Sequence, residues 1–370
     1  MKNTKITVKT ESNSYPIYFG SGNLNKARFL IKKNLPEVKK ICIISDKNLP
    51  SQTLKKLTDS IKNYKPKIYK ISSSEKNKSF KVANKIIEEL LKENFNKSDC
   101  IIAFGGGIIG DLSAFIANLL KRGLKFINIP TSLLAQADSA IGGKTGINSK
   151  NGKNLIGTIY QPNFVLIDIS VLKSLPHKEF VCGYGEILKH SLILNKKFFL
   201  WLYKNANQII NYKNKKFLQA AVIKSCKIKS EIVGKDEKET SLRMILNFGH
   251  TFAHGFEAAK KFTKKVSHGE AVLLGMMMAS QLSYQKKLLP IKDLILIKKH
   301  YSNLNLPMKI KRFFKKNEIS KIVHFMKKDK KNINNKISLI LLKKIGKVTK
   351  PNSIYVNDKY LKKFLNSQYI

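Results

Sequence analysis

Three of the chain's seven histidines fall within nineteen residues, in NFGHTFAHGFE (Asn247 to Glu257) and SHGEAV (Ser267 to Val272). His250 and His254 stand at i and i+4, so a helix would project both imidazoles from one face. His268 follows a basic loop, at the mouth of the next apolar run. Neutral imidazole is the commonest zinc ligand, and a catalytic zinc takes three protein ligands while leaving a position for substrate or water. The cluster therefore reads as half of a metal site that still needs a carboxylate. The plainer alternative is that these histidines only hydrogen-bond inside a helical core. GYGEILKH (Gly183 to His190) offers the carboxylate, because Glu186, Lys189 and His190 share one helical face. An ordinary Glu186 and His190 surface pair is the competing reading.

A second chemical motif lies upstream. FGGGIIGD (Phe104 to Asp111) joins a strand-like run to a helical pattern, and Gly105, Gly107 and Gly110 satisfy G-x-G-x-x-G. Glycines let backbone amides approach a pyrophosphate, and a helix N-terminus adds favourable partial charge. The acidic partner expected at the end of the next strand is missing, since that strand runs into Pro130, Thr131 and Ser132. Asp46, ending the run Ile41 to Ser45, would accept from a ribose if its strand neighbours the glycine turn. A tight turn with no ligand is the alternative. The stretch from Pro130 to Gly157 then combines Asp138, Lys144, Asn148, Lys153 and Asn154 with five glycines. A loop this long in a compact domain is usually functional, and Lys144 and Lys153 could meet phosphate as point charges while Asn154 donates an amide bond.

These residues need elements to hold them. Short β-branched runs recur at Ile41 to Ser45, Lys67 to Ile71, Cys100 to Phe104, Lys125 to Ile129 and Phe164 to Ile167, with helical patterns between the first four. Such alternation, with continuously apolar strands, predicts a parallel sheet covered on both faces. Ile6 to Thr10 and Tyr15 to Phe19 read as an edge hairpin. From about Leu175 helical periodicity takes over, in Lys178 to Leu194, Phe217 to Val233, Leu246 to Ala259 and Glu270 to Lys287. The expected organisation is a Rossmann-like α/β domain over residues 1–174, then a mainly α-helical metal-binding domain over residues 175–370.

Composition narrows the function classes. A net charge of +46 would ordinarily point to a polyanion partner. Of 70 basic residues, however, only four are Arg: Arg28, Arg122, Arg243 and Arg312. Nucleic-acid readers lean on the forked guanidinium, so the lysine excess reads as genome bias and no nucleic-acid partner is expected. The one apolar stretch of membrane length, Cys100 to Leu120, contains three consecutive glycines and Asp111, which leaves no span. The N-terminus lacks the apolar core of a signal peptide. Four widely spaced cysteines without a C-x-x-C pair fit a reduced, cytoplasmic protein.

Taken in order, FGGGIIGD, LKRG, IPTSLLAQADSAIGGKTGIN, GKNLIG, YQP, GYGEILKH, LRMILNFGHTFAHGFE, SHGEAV and KKDKK resemble the 3-dehydroquinate synthase family of sugar-phosphate cyclases over nearly the whole chain. The resemblance implies an NAD-binding α/β domain, a helical domain with zinc or cobalt, and a homodimer. It implies metal ligands Glu186, His250 and His268, which leaves His254 to contact substrate or handle protons. NAD contacts map to Asp46, Glu75, Lys78, Gly106, Gly107, Asp111, Thr131, Ser132, Lys144 and Lys153. Substrate contacts map to Arg122, Asp138, Lys144, Asn154, Lys189, Arg243, Asn247, His254, and Lys330 or Lys331. Two departures stand out: Ser132 replaces a common second Thr, and SSSEKNKS lacks the family's frequent Asp-Gly before Glu75.

The implied reaction converts 3-deoxy-D-arabino-heptulosonate 7-phosphate to 3-dehydroquinate and phosphate. Transient oxidation at C5 by NAD acidifies the C6 proton, phosphate leaves, the hydride returns, and ring opening precedes aldol closure. A metal-dependent polyol dehydrogenase, which would accumulate NADH, and other sugar-phosphate cyclases are the neighbouring alternatives. A basic RNA-associated protein is the non-enzyme one.

Overall fold

The computed structural model describes residues 4–260, 265–327 and 336–369. Two compact units are present, and neither is continuous in sequence: Met1–Pro176 with Asn214–Lys238, and His177–Lys213 with Glu239–Ile370.

The first unit is built on a seven-stranded sheet. Its strands are β1 (Thr4–Lys9), β2 (Ser14–Gly20), β3 (Ile41–Asp46), β4 (Lys67–Ile71), β5 (Cys100–Gly105), β6 (Lys125–Pro130) and, after a small hairpin of β7 (Ile147–Ser149) and β8 (Gly152–Ile156), β9 (Phe164–Asp168). The spatial order is β1-β2-β9-β6-β5-β3-β4. Only β1 pairs antiparallel, with β2, and every other neighbour in the sheet is parallel. The edge hairpin and the alternating core thus stand where β-branched runs predict them. From β3 the chain steps outward to β4 and then returns to β5 on the other side of β3. The strand order reverses there, and open α/β sheets bind ligands in the crevice at such a point.

Helices α1 (Ala27–Asn34), α2 (Ser51–Ser60), α3 (Phe80–Lys92) and α4 (Gly107–Leu119) connect the strands. Ile86, Leu90, Leu112, Phe115 and Ile116 of α3 and α4 pack in one buried cluster with Cys42, Ile44, Ile101 and Ala103 of the sheet. Each such buried aliphatic side chain contributes roughly 1.5–3 kcal/mol.

The stretch from Pro130 to Gly157 is more ordered than its composition predicts. It holds a single π-helical turn, Ala135–Ser139, and the β7 and β8 hairpin. Strands of three and five residues are too short for alternation to register in sequence.

The remaining helices begin with α5 (His177–Leu194), α6 (Lys196–Ile210) and α7 (Lys215–Lys235). Helix α7 belongs to the first unit. Its Cys226 Sγ meets the Gln136 carbonyl at 3.2 Å, and Glu237, just past its end, accepts from Ser12 and from Gln161 Nε2 at 2.7 Å. The first unit therefore takes back a helix from within the stretch 175–370, because helical periodicity is local and does not say which unit buries the face.

The second unit contains α5, α6, α8 (His250–Ala259), α9 (His268–Gln285) and α10 (Ile291–Asn303), followed by further short elements. Among the described residues, no helix is long and apolar enough to cross a membrane. All four cysteines are buried and unpaired.

Candidate functional site

In the second unit, Glu186 lies mid-way along α5, while His250 and His268 are the first residues of α8 and α9. One ligand atom from each of the three lies within 4.8 Å of the others. Two glycines let the helices approach this closely. A Cβ on Gly269 would sit 2.2 Å from Cys182 Cα, one turn before Glu186 on α5, and a Cβ on Gly275 would sit 2.2 Å from the carbonyl of Gly249, the residue that precedes His250. The start of α9 is fixed by a capping box, in which Ser267 accepts from the Glu270 amide and the Glu270 carboxylate accepts from Ser267 N at 2.9 Å. His268 follows that cap directly.

Glu186 is 2% exposed, with Lys189 one turn along α5 ion-paired to its Oε2. His250 Nε2 stands 3.7 Å from Glu186 Oε1, and its Nδ1 lies 3.4 Å from the Phe248 carbonyl. One carboxylate and two imidazoles suit a zinc or cobalt ion with open positions, and the mutual closeness of their donor atoms fits one. His254 is outside that set, its ring 5.9 Å from that of His250. The imidazole that joins His250 and Glu186 within this distance is thus His268, from a different helix, and not the i, i+4 neighbour His254. Arg243, 3% exposed, and Asn247 sit on the 3-10 turn Leu242–Asn247, where Asn247 Nδ2 donates to Glu239 Oε1 at 2.8 Å. Lys330 and Lys331 lie outside the described residues.

In the first unit, β3 and β5 are adjacent, with Ser45 paired to Phe104. Asp46 therefore ends beside the glycine turn. Its Oδ2 accepts from Ser73 Oγ at 2.6 Å. Gly106 is the N-cap of α4 and Gly107 its first residue, so no side chain caps the helix. An N-terminus closed only by glycine fits a pyrophosphate. Thr131 N donates to the Gly105 carbonyl at 2.9 Å, and Ser132 Oγ lies close enough that a Cβ on Gly106 would stand 3.3 Å from it. The departure to Ser thus keeps a hydroxyl at the turn.

Lys78, 4% exposed, donates to Asp111 Oδ2 and Asn154 Oδ1, both at 2.5 Å. Desolvation pushes the Asp111 carboxyl above its ordinary pKa, with the Lys78 ammonium opposing it. Glu75 accepts from Asn148 Nδ2 at 2.7 Å and pairs with Lys153 at 3.1 Å. Burial works to raise its pKa, but these partners outweigh it and hold the carboxyl below its ordinary value. Lys78, Glu75, Asp111, Lys153 and Asn154 are thereby brought together, although SSSEKNKS departs from the family pattern. Lys144 and Asp111 line one small cleft with Asn128 and Ser139. Arg122 is exposed and adopts φ 61°, next to Lys121 at φ 50°.

Three residues without a role in the sequence reading stand at these sites. Lys229 of α7 pairs with Asp138, Glu239 holds Asn247, and Glu257 meets His268 Nδ1 at 3.1 Å. Lys229 is hidden by the abundance of lysine. Glu257 carried a usable signal, since it stands two turns after His250.

Residues 68–182 match the model of the 3-dehydroquinate synthase N-terminal region, and residues 183–332 match that of its C-terminal region. The 3-dehydroquinate synthase of Pelagibacter ubique is 48% identical over 364 residues, covering 98% of each chain. Two solved cyclases share the fold. A 2-deoxy-scyllo-inosose synthase complexed with carbaglucose-6-phosphate, NAD+ and Co2+ superposes with a TM-score of 0.85 at 24% identity, covering 99% of this chain and 100% of that one. The 2-epi-5-epi-valiolone synthase of Streptomyces hygroscopicus, with NAD+ and Zn2+ bound, gives 0.83 at 22%, covering 96% and 97%. With both halves matched in order and a relative at 48% identity along almost the entire length, this chain belongs to the 3-dehydroquinate synthase family.

Proposed function

We propose that the protein converts 3-deoxy-D-arabino-heptulosonate 7-phosphate to 3-dehydroquinate and inorganic phosphate in the shikimate pathway, with NAD and a divalent zinc or cobalt ion as cofactors. The observation that carries this reading is the convergence of Glu186, His250 and His268 in a chain of this family. Related cyclases with NAD+ and Co2+ or Zn2+ support the cofactors. The protein is further proposed to act as a cytoplasmic homodimer, with a dinucleotide-binding part and a metal-binding part.

When bound, NAD supplies a reversible hydride acceptor and the cation supplies Lewis acidity to the oxygens it chelates. The chain's own residues do the rest. Glu186, His250 and His268 hold the cation. Asp46 accepts from a ribose hydroxyl, the amides of the Gly106 and Gly107 turn receive the pyrophosphate, and Thr131 and Ser132 offer hydroxyls beside it. Glu75, Lys78 and Asp111 form the polar wall that orients the dinucleotide. Lys144, Lys153, Asn154, Arg122 and one of Lys330 and Lys331 meet the phosphate, whose own oxygen takes the C6 proton, so no separate general base is needed. Asp138, Lys189, Arg243 and Asn247 bind the hydroxyl and carboxylate groups of the substrate. His254 passes protons between substrate and water.

Incubation of the protein with the heptulosonate phosphate, NAD and zinc tests the reading. Stoichiometric phosphate and 3-dehydroquinate, with no net NADH, are expected. Accumulating NADH without phosphate would identify a dehydrogenase instead.

A further inference from the structure

His250 and His268 are not held in the same way. Each uses Nδ1 for a contact away from the metal set, which leaves Nε2 as the ligand nitrogen. His250 Nδ1 lies 3.4 Å from the Phe248 carbonyl, a neutral group at the long end of hydrogen bonding. His268 Nδ1 lies 3.1 Å from Glu257 Oε2, a carboxylate with only 9% of its side chain exposed. Glu257 stands seven residues after His250 on α8, on the same helical face, and so reaches the start of α9 from the helix that carries the other imidazole. His268 is the more exposed ring, at 42%, and has less packing to fix its angle.

We propose that Glu257 is the positioning residue of the metal site: it turns the His268 ring so that Nε2 faces Glu186 and His250, and its negative charge strengthens that nitrogen as a donor. The inference rests on the reading of those three residues as metal ligands. A carboxylate hydrogen-bonded to the far nitrogen of a ligating imidazole fixes ring orientation and tautomer and raises ligand basicity, and its loss typically weakens metal binding 10–100-fold.

The test uses the full chain, stripped of metal and titrated with zinc against a chelating dye. Wild type should bind one zinc per chain. Glu257→Gln, which keeps an acceptor oxygen and the side-chain volume but removes the charge, should bind roughly 10–100-fold more weakly, with an unchanged melting temperature in the metal-free state. Glu257→Ala should bind more weakly again. In the cobalt-loaded protein, the visible bands of wild type and Glu257→Gln should differ, which a merely structural role for Glu257 would not produce. A Glu257→Gln protein with zinc affinity within twofold of wild type and the same cobalt spectrum overturns the proposal and leaves the metal reading standing. A wild-type protein that binds no zinc overturns both. Should the variants fail to fold, nitrogen-15 NMR of histidine-labelled, zinc-loaded wild type decides alone. The His268 proton must reside on Nδ1 with zinc on Nε2, and the reverse assignment overturns the proposal.

Discussion

Lys229 Nζ is ion-paired with the carboxylate Oδ1 of Asp138 and donates to the backbone carbonyl of the same residue, at 2.8 Å each. The Lys229 side chain is 8% exposed and that of Asp138 is 19% exposed. The bond ties α7 to the π-helical turn that carries Asp138, and it combines a charge pair with a backbone acceptor. Removing one member of such a pair strands the other away from water. Lys229→Met should lower unfolding free energy by about 3 kcal/mol, read as a shift of the urea midpoint. Lys229→Met with Asp138→Asn should recover part of that loss. Additive single effects in this double-mutant cycle would contradict the coupling.

His250→Ala should lose bound metal and essentially all turnover, because Glu186 and His268 alone make a poor site. His254→Ala should keep one metal per chain while turnover falls roughly 100–10,000-fold, the usual contribution of a positioned proton donor or acceptor. Metal analysis after dialysis separates the two. Metal loss in His254→Ala, with retention in His250→Ala, would reverse the assignment.

Arg122 occupies a left-handed conformation beside a second one at Lys121, φ 61° and 50°. Tyr160 OH donates to the Leu124 carbonyl at 2.5 Å just after this turn. Non-glycine residues pay for such backbone angles and persist there when the surroundings over-determine them. Arg122→Lys keeps the charge but replaces a planar fork by a point charge. KM for the phosphorylated substrate should rise roughly tenfold with kcat less affected. Unchanged kinetics would remove Arg122 from the phosphate site.

His300 on α10 is 1% exposed, its Nε2 lying 2.7 Å from Tyr184 OH. Burial pulls its pKa from 6.5 down to about 4. The unfolded chain therefore binds a proton near pH 6.5 that the folded chain accepts only near pH 4. Stability from this residue is intact above pH 6.5 and falls as the pH drops toward 4, by about 3 kcal/mol in all. Urea midpoints from pH 7.5 to 4.5 should show a flatter acid limb in His300→Gln than in wild type. Parallel curves would show that His300 does not titrate in this window.

The parallel sheet was legible because buried strands such as Ile41–Asp46 and Cys100–Gly105 are written as uninterrupted apolar runs. The position of Asp46 beside the glycine turn was legible only as a condition, since strand order is a tertiary fact. Spacing alone paired His250 with His254. Local pattern offered His268 and Glu186 as candidates, but only resemblance to the family set His254 apart from them, since which donors meet depends on helix contacts at Gly269 and Gly275. Lys229 was illegible for another reason: its placement depends on which unit buries α7.

That placement has a consequence for synthesis of the chain. When Pro176 has been made, the sheet is complete, yet the helix that covers β1 and the π-helical turn is still to come. About 60 residues more must be added before Lys238, roughly 3–12 s at translation rates of 5–20 residues per second. Until then the nascent chain carries bare apolar surface where Leu218, Val222 and Cys226 will dock. The ribosome, rather than the finished fold, sets how long this half of the protein waits for its last helix.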